Sequence, residues 1–404
     1  MSAFREELPN GWRNLTAATV GIAGGIAGYM PLGSIFLRAL EQSFGWSKTA
    51  SAASLMSLPI TAAVLPFAGR LVDRIGVRRV VGISVLSAVA AYCWLSRLSG
   101  NKIEFYSAFL LLNVLGCATG PLAYSRLIVG DFERARGTAL AIALAGIACA
   151  TIGLPPLVNK IIAVYTWRGG YLFFASLALL AGTIALLLMR PRPNPASTPA
   201  RSGALGFAVR TRQFWLLGGA ILLISAGTIG LVSQLQSVLI EAGLSPTAAT
   251  WLLSILGLSV GVSRLVIGRL LDLKYPTRAA AIVMVIAAAG ALIILSGSSR
   301  REVLALGVSL IGLSAGAELD VMAYFCSRLF AIRHYGVIYG CLFSFHYVGM
   351  AAGALCYGAI HDSTGHYAIA LVLTCVLLLL AGVMFLMLGR PFICFPLDDS
   401  PVPA

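Results

Sequence analysis

Five ionisable side chains, Arg126, Arg264, Glu318, Asp320 and His346, stand inside stretches that are otherwise almost wholly apolar. Even on the lenient insertion scale a charged group in a membrane interior costs about 2.5–3.5 kcal/mol, so each needs a partner or a task. A guanidinium stays charged and grips a carboxylate through two parallel hydrogen bonds. Arg264 is therefore the residue best suited to hold an anion, its plainer role being a permanent pair with Glu318 or Asp320. Those two acids are two residues apart, about 200° around a helix, and face different ways. One can line a cavity and carry a proton while the other bonds between helices, and the sequence favours neither for either role. His346 suits a second donor to the anion, a titrating group or a bridge between helices. Arg126 reads as a further anion contact or as a side chain reaching for the membrane surface.

Other chemistries lack their residues. The eight cysteines form no C-x-x-C pair, and all but Cys394 lie in apolar runs, so they read as small packing residues. The four histidines make no H-E-x-x-H, and no Gly-Lys pair exists from which to build a phosphate loop. No metal, cofactor or ATP is expected, and no nucleophile constellation suggests an enzyme.

The elements that position the five charges follow from composition. The chain has 404 residues, 59% hydrophobic and 11% charged, with mean hydropathy +0.90. Soluble domains carry about 25% charged residues, so lipid must be the solvent here. Runs long enough to cross a ~30 Å core lie near 15–37, 52–72, 80–98, 105–127, 138–163 and 169–189. Six more lie near 213–240, 247–271, 279–298, 303–329, 337–360 and 367–389. They must be helical, because backbone polar groups in lipid have to be satisfied within the segment and no barrel-like alternation is present. The expected fold is an all-α membrane protein of twelve transmembrane helices in two six-helix bundles. One bundle spans 1–189, and a linker at 190–212 carries Pro191, Pro193, Pro195 and Pro199, five arginines and no acid. The second bundle and a short tail occupy 213–404.

Of the 29 lysines and arginines, 19 fall on the side of the termini and linker, 8 on the other, and Arg126 and Arg264 within helices. The positive-inside rule then puts both termini and the linker in the cytoplasm of a cell inner (plasma) membrane. It also explains the net charge of +14 without nucleic acid. Residues 1–14 read as a cytoplasmic tail before an uncleaved first span.

Depth follows at ~1.5 Å per residue from the cytoplasmic helix ends. Arg264 comes out ~12 Å deep, Asp320 and His346 ~15 Å and Glu318 ~18 Å, against a midplane ~15 Å down. These four share the layer in which transporter sites lie.

An internal repeat supports two equivalent halves. Gly45-x-Ser47-x-Thr49-Ala50 recurs 198 residues on as Gly243-x-Ser245-x-Thr247-Ala248. Gly69-Arg70-Leu71-x-Asp73 recurs 199 on as Gly268-Arg269-Leu270-x-Asp272, and Phe132 and Gly137 recur as Phe330 and Gly336. With six helices per copy both have the same topology, the parallel-repeat architecture.

The stretch Gly69-Arg70-Leu71-Val72-Asp73-Arg74-Ile75-Gly76-Val77-Arg78-Arg79, set between the second and third spans, resembles the loop signature of the major facilitator superfamily. The resemblance covers the whole chain, with Phe132-x-x-x-Arg136-Gly137 and Trp167-Arg168 at the expected loops. It implies that Asp73, with Gly69, Arg74, Gly76, Arg78 and Arg79, latches the two halves together on the cytoplasmic side. Asp272 is the counterpart in the second copy, where Leu273 stands at the place of Arg74. Within the superfamily, Arg264-x-x-x-Gly268 in the eighth span looks like the monocarboxylate and oxalate–formate porters, whose arginine there binds the substrate carboxylate. One branch also has an Asp four residues earlier, where this chain has Val260. The resemblance further implies that spans one, four, seven and ten line the cavity. Tyr29, Asn113, Tyr124, Gln234, Gln236 and Tyr324 are their polar groups, with Tyr29, Tyr124 and Tyr324 expected at the substrate.

The expected function is secondary active transport of a small organic anion by alternating access, proton-coupled or by exchange. The partners are that anion, protons or a counter-substrate, and lipid, with the protein acting as a monomer. A sugar porter would want many Asn and Gln in its helices, and a drug exporter often has an acid in its first span; neither is present. A transport-derived sensor would need a sizeable soluble domain, and the longest loop is about twenty residues.

Overall fold

The computed structural model describes residues 2–46, 57–190 and 204–389. The first copy of the repeated turn at Ser47–Ala50, most of the expected linker and the tail after Gly389 lie outside the described residues. Thirteen helices carry the architecture: α1 (Ser2–Gly24), α2 (Gly33–Phe44), α3 (Ser57–Ile75), α4 (Val77–Leu95), α5 (Lys102–Leu115), α6 (Pro121–Asp131) and α7 (Arg136–Leu188). They continue as α8 (Arg212–Glu241), α9 (Pro246–Leu271), α10 (Pro276–Leu295), α11 (Arg301–Leu329), α12 (Tyr335–Thr364) and α13 (Ala368–Met387).

Eight of the described helices are long and apolar enough to cross a membrane. The 53-residue α7 holds two of the expected spans, divided at Thr166, where φ is 61°. Pro155 and Pro156 sit within it without ending it. The first and fourth spans are each broken, α1 from α2 and α5 from α6, and α3 belongs to the second. This arrangement is consistent with twelve crossings.

The two breaks satisfy one another. Gly25 is extended, and the Ile26 amide beyond it donates to the Thr119 hydroxyl, 3.1 Å away, which donates in turn to the Gly116 carbonyl. A Cβ at Gly25 would run into the Thr119 carbonyl oxygen. Irregular backbone survives at membrane depth only with such internal partners. The equivalent spans of the second half, α8 and α11, run unbroken. The start of α9 shows the repeated turn in its second copy: Gly243 takes φ 97°, and the Ser245 hydroxyl caps the Ala248 amide ahead of Pro246.

Within the halves, α1 packs along α7, α8 along α12 and α9 along α11. Between the halves, α3 packs on α12 and α9 on α7, which is one contact made twice by the two repeats. Both crossings are glycine to glycine. A Cβ at Gly69 would strike the Gly336 carbonyl, and one at Gly137 would strike that of Gly268. Small residues let the backbones approach this closely. Gly69→Val should force α3 from α12 and cost about 1–3 kcal/mol of closed-state stability. The measurement is faster thiol labelling of half-buried Cys341 on α12, with the other cysteines replaced.

Candidate functional site

Where these crossings meet the loops, each Asp of the repeated motif caps a helix of the opposite half. Asp73 accepts from the amides of Gly336 at 3.0 Å and Val337 at 2.9 Å, in the first turn of α12. Asp272 accepts from the amides of Gly137 at 2.7 Å and Thr138 at 2.8 Å, and from the Thr138 hydroxyl at 2.7 Å, in the first turn of α7. A carboxylate at a helix N-terminus meets both unpaired N–H groups and the positive end of the helix dipole. Partial burial pushes the Asp272 carboxyl above its ordinary range, while its three donors favour the charged form. Leu273, the departure noted in the second copy, is exposed, as is Arg74 in the first. Neither is needed for the carboxylate's bonds, so the loss of the arginine does not undo the cap. Gly76 turns the chain into α4 with φ 89°, and Arg78 and Arg79 are exposed beyond it.

Arg126 lies beside Asp73, with Nε 3.4 Å from Oδ1. Two further arginines tie the halves reciprocally. Arg136 donates from Nη1 to the Ser327 carbonyl at 3.2 Å, and Arg328 from Nη2 to the Glu133 carbonyl at 3.0 Å. The N-terminal segment, expected only as a tail, is helix from Ser2. Its Glu7 caps the start of α7 by accepting from the amides of Glu133, Arg134 and Ala135, while Phe4 stacks on Phe132. No sequence signal singled out Glu7.

Deeper in the second half, α11 presents its two acids to different neighbours. Asp320 is fully buried and meets Arg264 of α9, Nη1 to Oδ2 3.0 Å. This is a single bond rather than a two-pronged grip, and Nε of Arg264 and Oδ1 of Asp320 are buried without partners among the described residues. Glu318 faces the other way. Its Oε1 is 2.6 Å from Nδ1 of His346 on α12 and accepts from the hydroxyl of Ser225 on α8. Ser225 was not among the sequence candidates, since one serine in an apolar span carries no signal of its own.

The tyrosines lie elsewhere, and none hydrogen-bonds to either charged pair. Tyr29 packs with Phe36, Tyr92 and Phe174 in a separate aromatic core of the first half. Tyr124 is buried against α1, where a Cβ at Gly21 would meet its hydroxyl. Tyr324 lies under the Arg328 guanidinium, 5.3 Å away. Asn113 donates back to the Phe109 carbonyl, and Gln236 reaches Thr250.

The sequence matches the Major Facilitator Superfamily over residues 16–294 and 230–393. The chain belongs to that superfamily. It is a multi-pass membrane transporter, not an enzyme. It is similar to Monocarboxylate transporter 3 of Rattus norvegicus, 31% identical over 65% of this chain and 55% of the rat protein. It is also similar to an MFS-type transporter of Gibberella moniliformis, 24% identical over 81% and 79% of the two chains. Among solved structures, the E. coli fucose:proton symporter FucP in its outward conformation superposes with a TM-score of 0.76 at 14% identity, covering 95% of this chain and 99% of that one. The human organic anion transporter MFSD10 gives 0.74 at 15%, over 94% and 99%. This superfamily member stands near the monocarboxylate branch.

Proposed function

We propose that this transporter moves a small carboxylate across the cell inner membrane by alternating access, with its capped, motif-bearing face in the cytoplasm. The observation that carries the proposal is Arg264, a permanent cation buried in the second half and held by one hydrogen bond to Asp320. One bond leaves the fork of the guanidinium incompletely used, and a substrate carboxylate offers it two. The likeness to a monocarboxylate transporter supports the same substrate class. A substrate anion that shares Arg264 with Asp320 leaves neither charge unpaired at any point of the cycle, as the cost of an unpaired charge in the membrane demands. Asp73 and Asp272 hold the cytoplasmic side shut while the other side is open.

A thermal-shift screen of the purified protein against small carboxylates tests the substrate class. A ligand present at 100 times its Kd stabilises the protein by about 2.7 kcal/mol. A stabilising hit confined to uncharged solutes would sink the anion reading. Orientation is tested separately: tags at Arg201 and Asp398 should report cytoplasmic, and tags near Lys102 and Arg300 external.

A further inference from the structure

We propose that Ser225, Glu318 and His346 form a proton-binding site distinct from the anion site at Arg264, so that a proton accompanies each substrate anion; the second half of this statement rests on the carboxylate reading above. Three side chains from α8, α11 and α12 converge on one oxygen. Oε1 of Glu318 bonds to the Ser225 hydroxyl and lies 2.6 Å from Nδ1 of His346, while the Ser225 hydroxyl is 3.0 Å from that same nitrogen. The hydroxyl is also 2.8 Å from the Ile221 carbonyl.

A count of hydrogens shows why this frame suits a proton. With Glu318 ionised and His346 neutral, Nδ1–H and the serine O–H both donate to Oε1. An added proton arriving from water forms a bond at Nε2. The Nδ1–H bond then breaks as Oε1–H forms, leaving a carboxylic acid that donates to Nδ1. The serine hydroxyl turns to the Ile221 carbonyl. The heavy atoms stay where they are, and the pair goes from one negative charge to none. In a low-dielectric interior the neutral acid–imidazole pair is favoured over an ion pair, which bears two desolvated charges. Nε2 of His346 has no partner among the described residues, and the imidazole keeps 11% of its surface where the Glu318 side chain keeps 2%.

On the neighbouring helices the other buried charged groups are held by partners of their own. On α11 and α9, Asp320 and Arg264 are bonded to each other. On α8, Thr228 pairs with Ser314. On α12, Phe343 and Tyr347 pack on the imidazole ring. The charges of α3 lie at its far end, where Asp73 takes the α12 amides and Arg126 of α6. With Arg264 and Asp320 cancelling, ionised Glu318 gives the buried cluster one net negative charge. A substrate anion would make it two, and a proton on the Glu318–His346 pair returns it to one. Asp73 caps the same helix that carries His346, and the stacked rings of Tyr335, Tyr339 and Phe343 run between them, so the proton site and the latch share one helix.

Infrared difference spectroscopy of the full chain in lipid vesicles, titrated from alkaline to acid, tests the site without any substrate. The expected result is one carboxylic C=O band that grows on acidification, is shifted in frequency by Ser225→Ala, disappears in Glu318→Gln and persists in Asp320→Asn. The absence of that band in the wild type, its survival in Glu318→Gln or its loss in Asp320→Asn would overturn the proposal. Pyruvate uptake into proteoliposomes gives the second reading: an acid-outside gradient should accelerate it, and Glu318→Gln should remove the acceleration. Pyruvate uptake indifferent to the gradient overturns proton coupling and spares the anion reading. A titrating Glu318 in a protein that carries no carboxylate does the reverse.

Discussion

Arg264→Ala should abolish carboxylate uptake into proteoliposomes, and Arg264→Lys should keep a small fraction of it. The alanine removes the one permanent cation of the buried cluster and leaves Asp320 buried without its partner. Breaking a buried pair in this way costs about 3–5 kcal/mol, enough to lower the yield of folded protein as well. The double variant Arg264→Met with Asp320→Leu separates the two effects. Replacing both partners by apolar groups of similar size is often neutral or stabilising, so this protein should insert and melt like the wild type while carrying no carboxylate. Lysine keeps the charge but offers a point rather than a fork. Each 1.4 kcal/mol lost is about tenfold in affinity, so losing one of two charge-assisted bonds at about 1.5–3 kcal/mol should raise the Kd some ten- to a hundredfold. Normal transport by the double variant would remove Arg264 from the binding site.

Neutralising the two caps together should open the face that they close. In Asp73→Asn and in Asp272→Asn, one oxygen can still accept an amide, but the negative charge at the helix N-terminus is gone. That charge is worth about 0.3–1 kcal/mol at exposed helix ends and up to ~2 kcal/mol where partly buried. The two caps share no partner, so their effects should add, to about 2–4 kcal/mol for the double variant, or roughly a 30- to 800-fold shift toward the open state. Asp73→Asn should be the more damaging single change, because it also strips Arg126 of its partner. Spin labels at Arg78 and Lys274, both exposed, one in each half, should move apart in the double variant. Distances unchanged from the wild type would mean that the glycine crossings alone close this face. If only Asp73→Asn moved them, the cap at Asp272 would be idle despite its three donors.

The sequence by itself determined the solvent, the helical architecture and the superfamily. Two halves were legible because lipid forces every span to be a long apolar run, and because the turns that both copies need use the same residues at equal spacing. It also picked out Gly69, Asp73, Gly268 and Asp272, since a glycine crossing and a capping acid cannot be replaced without changing the contact. What it could not decide was who meets whom. The spacing of Glu318 and Asp320 makes them face apart, but only the packing of α8, α9 and α12 around α11 gives Asp320 to Arg264 and Glu318 to His346. The breaks in the first and fourth spans were hidden for a similar reason. Glycines at 25, 116 and 120 are as compatible with close helix packing as with interruption, and the Thr119 hydroxyl that makes the break tolerable comes from ninety-three residues away. Leu273 shows the opposite case: a change in the motif that reads as a defect in one dimension lies on the exposed side of the helix end, where the carboxylate's bonds do not depend on it.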